Sequence, residues 1–217
     1  MEKYLIVREE PITQTIVVVP AGHLDMCNAV ASASAQAMGK SLWGKPSLKD
    51  ILRTIHWFNH DQPKIVRRIS RPGQLDRVYD ALRRHKLSHA KAISGGSLAI
   101  ALYPMPLTQI PREIRALQIA GTEGDREIEP TFVSGDVPDI RIVPELVMST
   151  GKTAAQVAHA ACVWLFGLEK KRRKTWMHKP GINTSNKPED REDVLSIVDN
   201  GKTEILKGSI TVTVQQP

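Results

Sequence analysis

A chain of 217 residues can fold as one large domain or two small ones and bury a real core. Its apolar fraction of 41% and charged fraction of 24% exclude wholesale disorder, and no apolar run approaches the about 18 residues of a membrane span. The formal net charge of +7 suits a phosphate-bearing partner, because Lys and Arg release condensed counterions when they bind a nucleic-acid backbone.

In chain order, residues 1–14 are acidic where a secretory leader starts basic, so the cytoplasm is the expected compartment. Thr15 to Val19 is a β-branched run of the buried-strand kind, and an Ala-rich helical segment follows from Leu24 to Met38. Lys64 to Ser70 is a second strand candidate. Arg71 to His85 reads as a helix, since Leu75, Val78, Tyr79 and Leu82 fall at i, i+3, i+4 and i+7. Leu98 to Leu102 is a strand after the turn signal Gly95-Gly96. The Pro-rich stretch Pro104 to Pro111 precedes a short helix candidate, Arg112 to Ile119. Residues 121–138, rich in Gly, Asp, Glu and Pro, read as a linker. Ile140 to Leu146 is strand-like, Lys152 to Lys171 helical, and Ile210 to Val214 a closing strand. Cys27 and Cys162 sit in the Ala-rich helices and read as small buried thiols.

Strands alternating with helices predict an α/β layered fold. The order also reads as two unequal copies of one pattern, residues 1–120 and 139–217. Val19-Pro20 opens one and Val143-Pro144 the other; Ile93-Ser94-Gly95-Gly96-Ser97-Leu98 parallels Ile205-Leu206-Lys207-Gly208-Ser209-Ile210.

The chemistry concentrates in the second copy. Met148 to Ala161 sits where a strand gives way to a helix, whose first N–H groups are unpaired and whose dipole is positive there. Lys152 adds a full charge to the same spot, which suits phosphate or a developing oxyanion. Gly151-Lys152-Thr153 is not a triphosphate loop, because Leu146 stands where that motif needs its first glycine. Ahead of the last strand, Asp199-Asn200-Gly201-Lys202-Thr203 makes a compact acidic turn. The densest cationic run is Lys170, Lys171, Arg172, Arg173 and Lys174, a candidate phosphate contact or a solvated helix end.

The segment GKTAAQVAHAA resembles the first-helix signature of the archaeal-type, second-class peptidyl-tRNA hydrolases, roughly G-K-x-A-A-Q-x-x-H-A. The tail DNGKTEILKGSITVTV is similar to that family's closing stretch, roughly D-A-G-x-T-x-I-x-x-G-[ST]-x-T-V. The resemblance spans residues 139–217. It implies a mixed β-sheet flanked by helices, a site without metal or other cofactor, and hydrolysis of the ester joining a peptide to the tRNA 3′ ribose. The family's lysine falls on Lys152, its glutamine on Gln156, its helix histidine on His159, its aspartate on Asp199 and its threonine on Thr203. In the implied roles, Asp199 orients or deprotonates the attacking water, Thr203 helps hold it, and Lys152 stabilises the tetrahedral oxyanion. Gln156, one turn on, would orient Lys152, and His159 would be a buried hydrogen-bonding residue. Lys170, Lys171, Arg172, Lys174 and Lys202 are the expected tRNA contacts.

Val147 and Thr150 replace lysines common in the family before its glycine–lysine pair, and Asn200 replaces an alanine. The interval from Trp176 to Val194 is short, with only Lys187 to Leu195 plausibly helical. The second copy is therefore expected to lack a strand and a helix and to borrow them from the first. That first copy lacks the chemistry. Leu24-Asp25-Met26 stands at the lysine's place, Ala29 to Ser32 has neither glutamine nor histidine, and no matching aspartate precedes Ser94-Gly95-Gly96. Since family members pair as dimers, an internal pseudo-dimer with one live site is the expected architecture, with a homodimer as the alternative. His56, His60, His85 and His89 form two i, i+4 pairs and read as surface or capping histidines.

Overall fold

The structure, a computed structural model, describes residues 10–119, 121–124, 133–186, 192–199 and 204–217. Its architecture is mixed α/β, two mixed sheets flanked by helices.

The first half runs β1 (Ile12–Val19), α1 (His23–Trp43), α2 (Leu48–Asn59), β2 (Lys64–Arg68), α3 (Gln74–Arg84), β3 (His89–Ser94), β4 (Ser97–Leu102), the two-residue β5 (Met105–Pro106) and a short α4 (Arg112–Arg115). The second runs β6 (Asp139–Ile142), α5 (Thr150–Gly167), α6 (Lys170–His178), β7 (Asn183–Ser185), β8 (Val194–Val198) and β9 (Ile210–Gln215). The sheets have strand orders β2-β1-β4-β3, with β5 pairing antiparallel to β1 off that path, and β7-β6-β9-β8. In both, the first pairing is parallel and the other two antiparallel.

The two long helices lie side by side between the sheets. His23 Nδ1 meets Thr150 Oγ1 at 2.8 Å near their starts, and Ser34 Oγ meets Cys162 Sγ at 3.4 Å three turns later, so the helices run parallel. Ala and Ser along α1 allow this approach and leave nearly every residue of the helix buried. One core cluster contains side chains of both helices and both sheets, so the halves share a single interior. Cys27 and Cys162 are buried within it and form no disulfide.

A second cluster covers the outer face of the first sheet. Val17, Ile100 and Leu102 point away from α1 and pack under α3 and α4 through Val78, Ala81, Leu82 and Ile114. The second sheet needs no such cover: Ile140, Ile142, Val212 and Val214 face the core, while the alternating Arg141, Ser196 and Thr213 are polar.

That difference overturns the expectation of a truncated second sheet. It has its own four strands. The strand missing from the sequence pattern is β7, three polar residues held by parallel register to β6. Val194 and Leu195, expected in a helix, begin β8; Lys187 to Arg191 lie outside the described residues.

Other boundaries moved for local reasons. β6 stops at Ile142, just before Val143-Pro144. The helix expected over 152–171 is two helices: Gly167 ends α5, Leu168 is extended, and Arg173 donates to the orphan carbonyls of Phe166 and Leu168 at 3.0 and 2.6 Å. α3 starts only at Gln74, after Gly73 turns the chain at φ 75°. α2 and β3 went unread. His56 lies on α2 and stacks on His60, with ring centroids 4.2 Å apart, while His85 caps α3 and His89 opens β3. The start of the expected linker is packed: Thr122 is buried and its carbonyl accepts from Gly151 N at 3.0 Å.

Candidate functional site

Three of the singled-out residues come together where α5 begins. Ser149 caps the helix in extended conformation, its hydroxyl accepting from Lys152 N. This sets Lys152 on the first turn and Gln156 one turn further, on the same face. β8 ends at Val198 after a register irregularity in its pairing with β9, and the next residue, Asp199, turns toward the helix. Its backbone holds the turn closed: Asp199 N donates to Ser209 O and Gly208 N to Asp199 O, each at 2.9 Å. The carboxylate Oδ2 accepts from Lys152 Nζ as an ion pair and from Gln156 Nε2 at 2.7 Å.

The cluster is more enclosed than the implied chemistry requires. The side chain of Asp199 is 3% exposed and that of Lys152 14% exposed. Nor are the first N–H groups of α5 open. Thr150 N donates to Glu123 Oε2 at 3.3 Å, Gly151 N to Thr122 O and Lys152 N to Ser149 Oγ. Glu204 closes the cap from the other side, accepting from Ser149 N at 2.7 Å and from Ser149 Oγ at 2.6 Å. The expected oxyanion hole of backbone donors is thus occupied by the chain's own acceptors. Glu123 and Glu204 answer the helix dipole with their own charge. Neither carried a readable signal, because each lies far along the chain from the helix it caps.

His159 lies outside the ion-paired cluster, further along α5. Its Nδ1 meets Lys64 Nζ at 3.3 Å, and that ammonium also sits 4.5 Å from the centroid of Trp57. Burial holds the imidazole well below its ordinary value, and the nearby charges of Lys64 and Lys152 push it the same way, so the ring is neutral at pH 7. Burial likewise lowers Lys64 to about 8. Lys64 comes from β2, so the first half contributes a basic side chain beside the second half's helix. The sequence shows Lys64 only as one of many scattered cations.

Thr203 and Lys202 lie outside the described residues. The cations of α6 lie beyond the other end of α5, roughly 25 Å of helix from Lys152. Lys170, Lys171 and Lys174 are exposed, whereas Arg172 is taken up by a bidentate pair with Asp136 at 2.7 and 2.8 Å. Lys170, Arg173 and Lys174 line a groove of about 770 Å³ with Lys40, Trp43 and Tyr103, and Arg173 stacks on the Trp43 ring at 3.9 Å.

The first half has the same positions with different chemistry. Asp25, like Lys152, is the third residue after its helix N-cap. Gly95, like Asp199, directly follows its strand. Asp25 accepts from Ser94 Oγ at 2.9 Å, and a Cβ at Gly95 would collide with its carboxylate. No family model, curated protein or solved structure matches the chain.

Proposed function

We propose that the chain hydrolyses the ester of peptidyl-tRNA at Lys152 and Asp199. The observation that carries the reading is their meeting. Lys152, Gln156 and Asp199 come from two motifs 43 to 47 residues apart, and all three share one carboxylate oxygen. Asp199 takes a proton from water as the water oxygen bonds to the ester carbonyl carbon. The Lys152 ammonium stabilises the resulting oxyanion. Collapse breaks the bond to the ribose 3′ oxygen, which leaves with a proton, giving free tRNA and the peptide carboxylate. Gln156 keeps the carboxylate aligned once Lys152 turns to substrate. The exposed cations of α6, beside Trp43, supply backbone and stacking contacts for the tRNA. The first half would be a degenerate copy standing where a second subunit would pair, in a protein of the cytoplasm.

A second reading has its own support. The enclosure of Asp199 and the filled helix start suit a non-catalytic RNA-binding protein that kept the ion pair as a structural element. Release of free tRNA from purified peptidyl-tRNA, with chelator present, decides between them. Turnover that Lys152→Ala abolishes supports the hydrolase, and binding without turnover supports the second reading.

A further inference from the structure

At the far end of α5 from Lys152, α6 packs against the end of α1. Lys170, Arg173, Lys174, Met177 and His178 recur at i, i+3, i+4, i+7 and i+8, the spacing of one helix face. Two contacts show that this face looks at α1. Arg173 stacks on Trp43, and Met177 lies so close to Gly39 that a Cβ there would stand 2.5 Å from its Sδ. Lys170, Lys174 and His178, one row over at i, i+4 and i+8, therefore flank the seam between the helices, and all three are exposed.

The seam opens into a groove of about 770 Å³, within the range of small-molecule sites (roughly 300–1,000 Å³). Lys40, Trp43 and Tyr103 also line it. Trp43 is 41% exposed, whereas the other tryptophans of the chain are at most 3% exposed. Arg173 is already committed: the carbonyls of Phe166 and Leu168 hold its Nη2, which fixes the guanidinium over the indole. No Asp or Glu is among the described residues that line the groove, and none of those residues adjoins a stretch outside the described residues. Asp50 lies near Tyr103 but accepts from Ser47 Oγ at 2.7 Å at the cap of α2. Asp136 and Glu169 act on Arg172, which is off this face. Lys40, Lys170 and Lys174 are thus the cations offered to a ligand, around an open indole.

We propose that the groove holds an unpaired nucleotide of an RNA strand, its base against Trp43 and Tyr103 and its phosphates among Lys40, Lys170 and Lys174. Exposed aromatic rings with cations around them match a strand whose bases are free to stack and whose backbone is anionic. A duplex keeps its bases stacked on one another and leaves the indole unused, and an aliphatic anion would use the cations but gain no stacking. The inference deepens the tRNA contact proposed above and rests on that reading for the kind of strand, not on hydrolysis at Lys152. A nucleotide without an acyl ester is no substrate, so binding here can fail while turnover stands, and stand while turnover fails.

The test is titration of the full chain with AMP, tetraadenylate, adenosine, ribose 5-phosphate and octanoate, read by calorimetry and by tryptophan fluorescence. AMP should bind saturably and quench the emission of Trp43, the one exposed tryptophan. Adenosine and ribose 5-phosphate each lack one half of the ligand and should bind at least about tenfold more weakly, as should octanoate. Tetraadenylate should bind at least about tenfold more tightly than AMP, because its phosphates reach more than one lysine. Trp43→Leu and Lys174→Gln, both at exposed positions, should each weaken tetraadenylate about tenfold. The proposal is overturned if tetraadenylate shows no saturable binding, or if octanoate or either fragment binds as tightly as AMP. It is overturned too if tetraadenylate binds no tighter than AMP, which would make this a site for free nucleotides, or if Lys174→Gln and a folded Trp43→Leu both bind tetraadenylate like the parent chain.

Discussion

Removing the Lys152–Asp199 pair one partner at a time, and then both together, separates its chemistry from its contribution to folding. Asp199 is 3% exposed and accepts from both Lys152 and Gln156, so Lys152→Met takes the ion-paired cation away from a buried carboxylate. Breaking a buried pair in this way costs about 3–5 kcal/mol. Asp199→Leu strands the lysine instead. Its side chain is 14% exposed and flexible enough to reach water, so the cost falls toward the lower end of that range. The double variant, Lys152→Met with Asp199→Leu, removes both charges and fills the space with hydrocarbon. Its stability should return to within about 1 kcal/mol of the parent chain, a coupling of several kcal/mol between the two sites.

Activity should not return. If Asp199 handles the water proton and Lys152 the oxyanion, all three variants release tRNA at least about 10²-fold more slowly. Urea melts read the first quantity and free-tRNA release the second. A double variant that recovers turnover along with stability would refute a catalytic role for the pair. Single variants that lose turnover while costing less than about 1 kcal/mol would refute the burial argument.

Three further outcomes follow from the geometry. The depressed His159 stays neutral in the fold while the unfolded chain takes up a proton below about pH 6.5, so stability should fall by about 1.4 kcal/mol per pH unit there, and His159→Gln should flatten that slope. For Lys64, lowered to about 8, the penalty on the ammonium is complete below that pH and relieved toward about 10.5, so stability should rise across that window and Lys64→Met should abolish the rise. In tRNA binding, Lys171→Gln with Lys174→Gln should reduce the salt slope by about two, whereas Arg172→Gln should change it little because Asp136 already holds that charge; equal effects would return the run to a solvated helix face.

The residues that meet at the start of α5 were legible because the resemblance names them in two short motifs. Lys152 and Gln156 lie one helical turn apart on one face, whereas the Asp199 turn by itself reads only as a turn. The elements that went unread lack such a pattern. β7 is Asn183, Thr184 and Ser185, polar residues that become a strand only because β6 offers a free edge in parallel register. α2 has a sound N-cap at Ser47, but Pro63 just past its far end is equally a loop signal. The capping carboxylates were beyond reach for another reason. Glu123 and Glu204 are charged surface residues by composition, and only tertiary proximity to Ser149 and Thr150 gives them a task.

The two halves place opposite charges at one corresponding pair of positions. Lys152 and Asp25 hold the same place after their helix caps, and Asp199 and Gly95 the same place after their strands. In the second half the cation is on the helix, where the dipole disfavours it, and the carboxylate across from it offsets that cost. In the first half the carboxylate is on the helix itself, which the dipole favours, and Ser94 supplies its donor. The strand end there is Gly95, whose missing side chain is the condition for the carboxylate to lie against it. The first half thus puts the charge its helix dipole favours on the helix, whereas the second places a cation against its dipole and offsets it with an enclosed carboxylate.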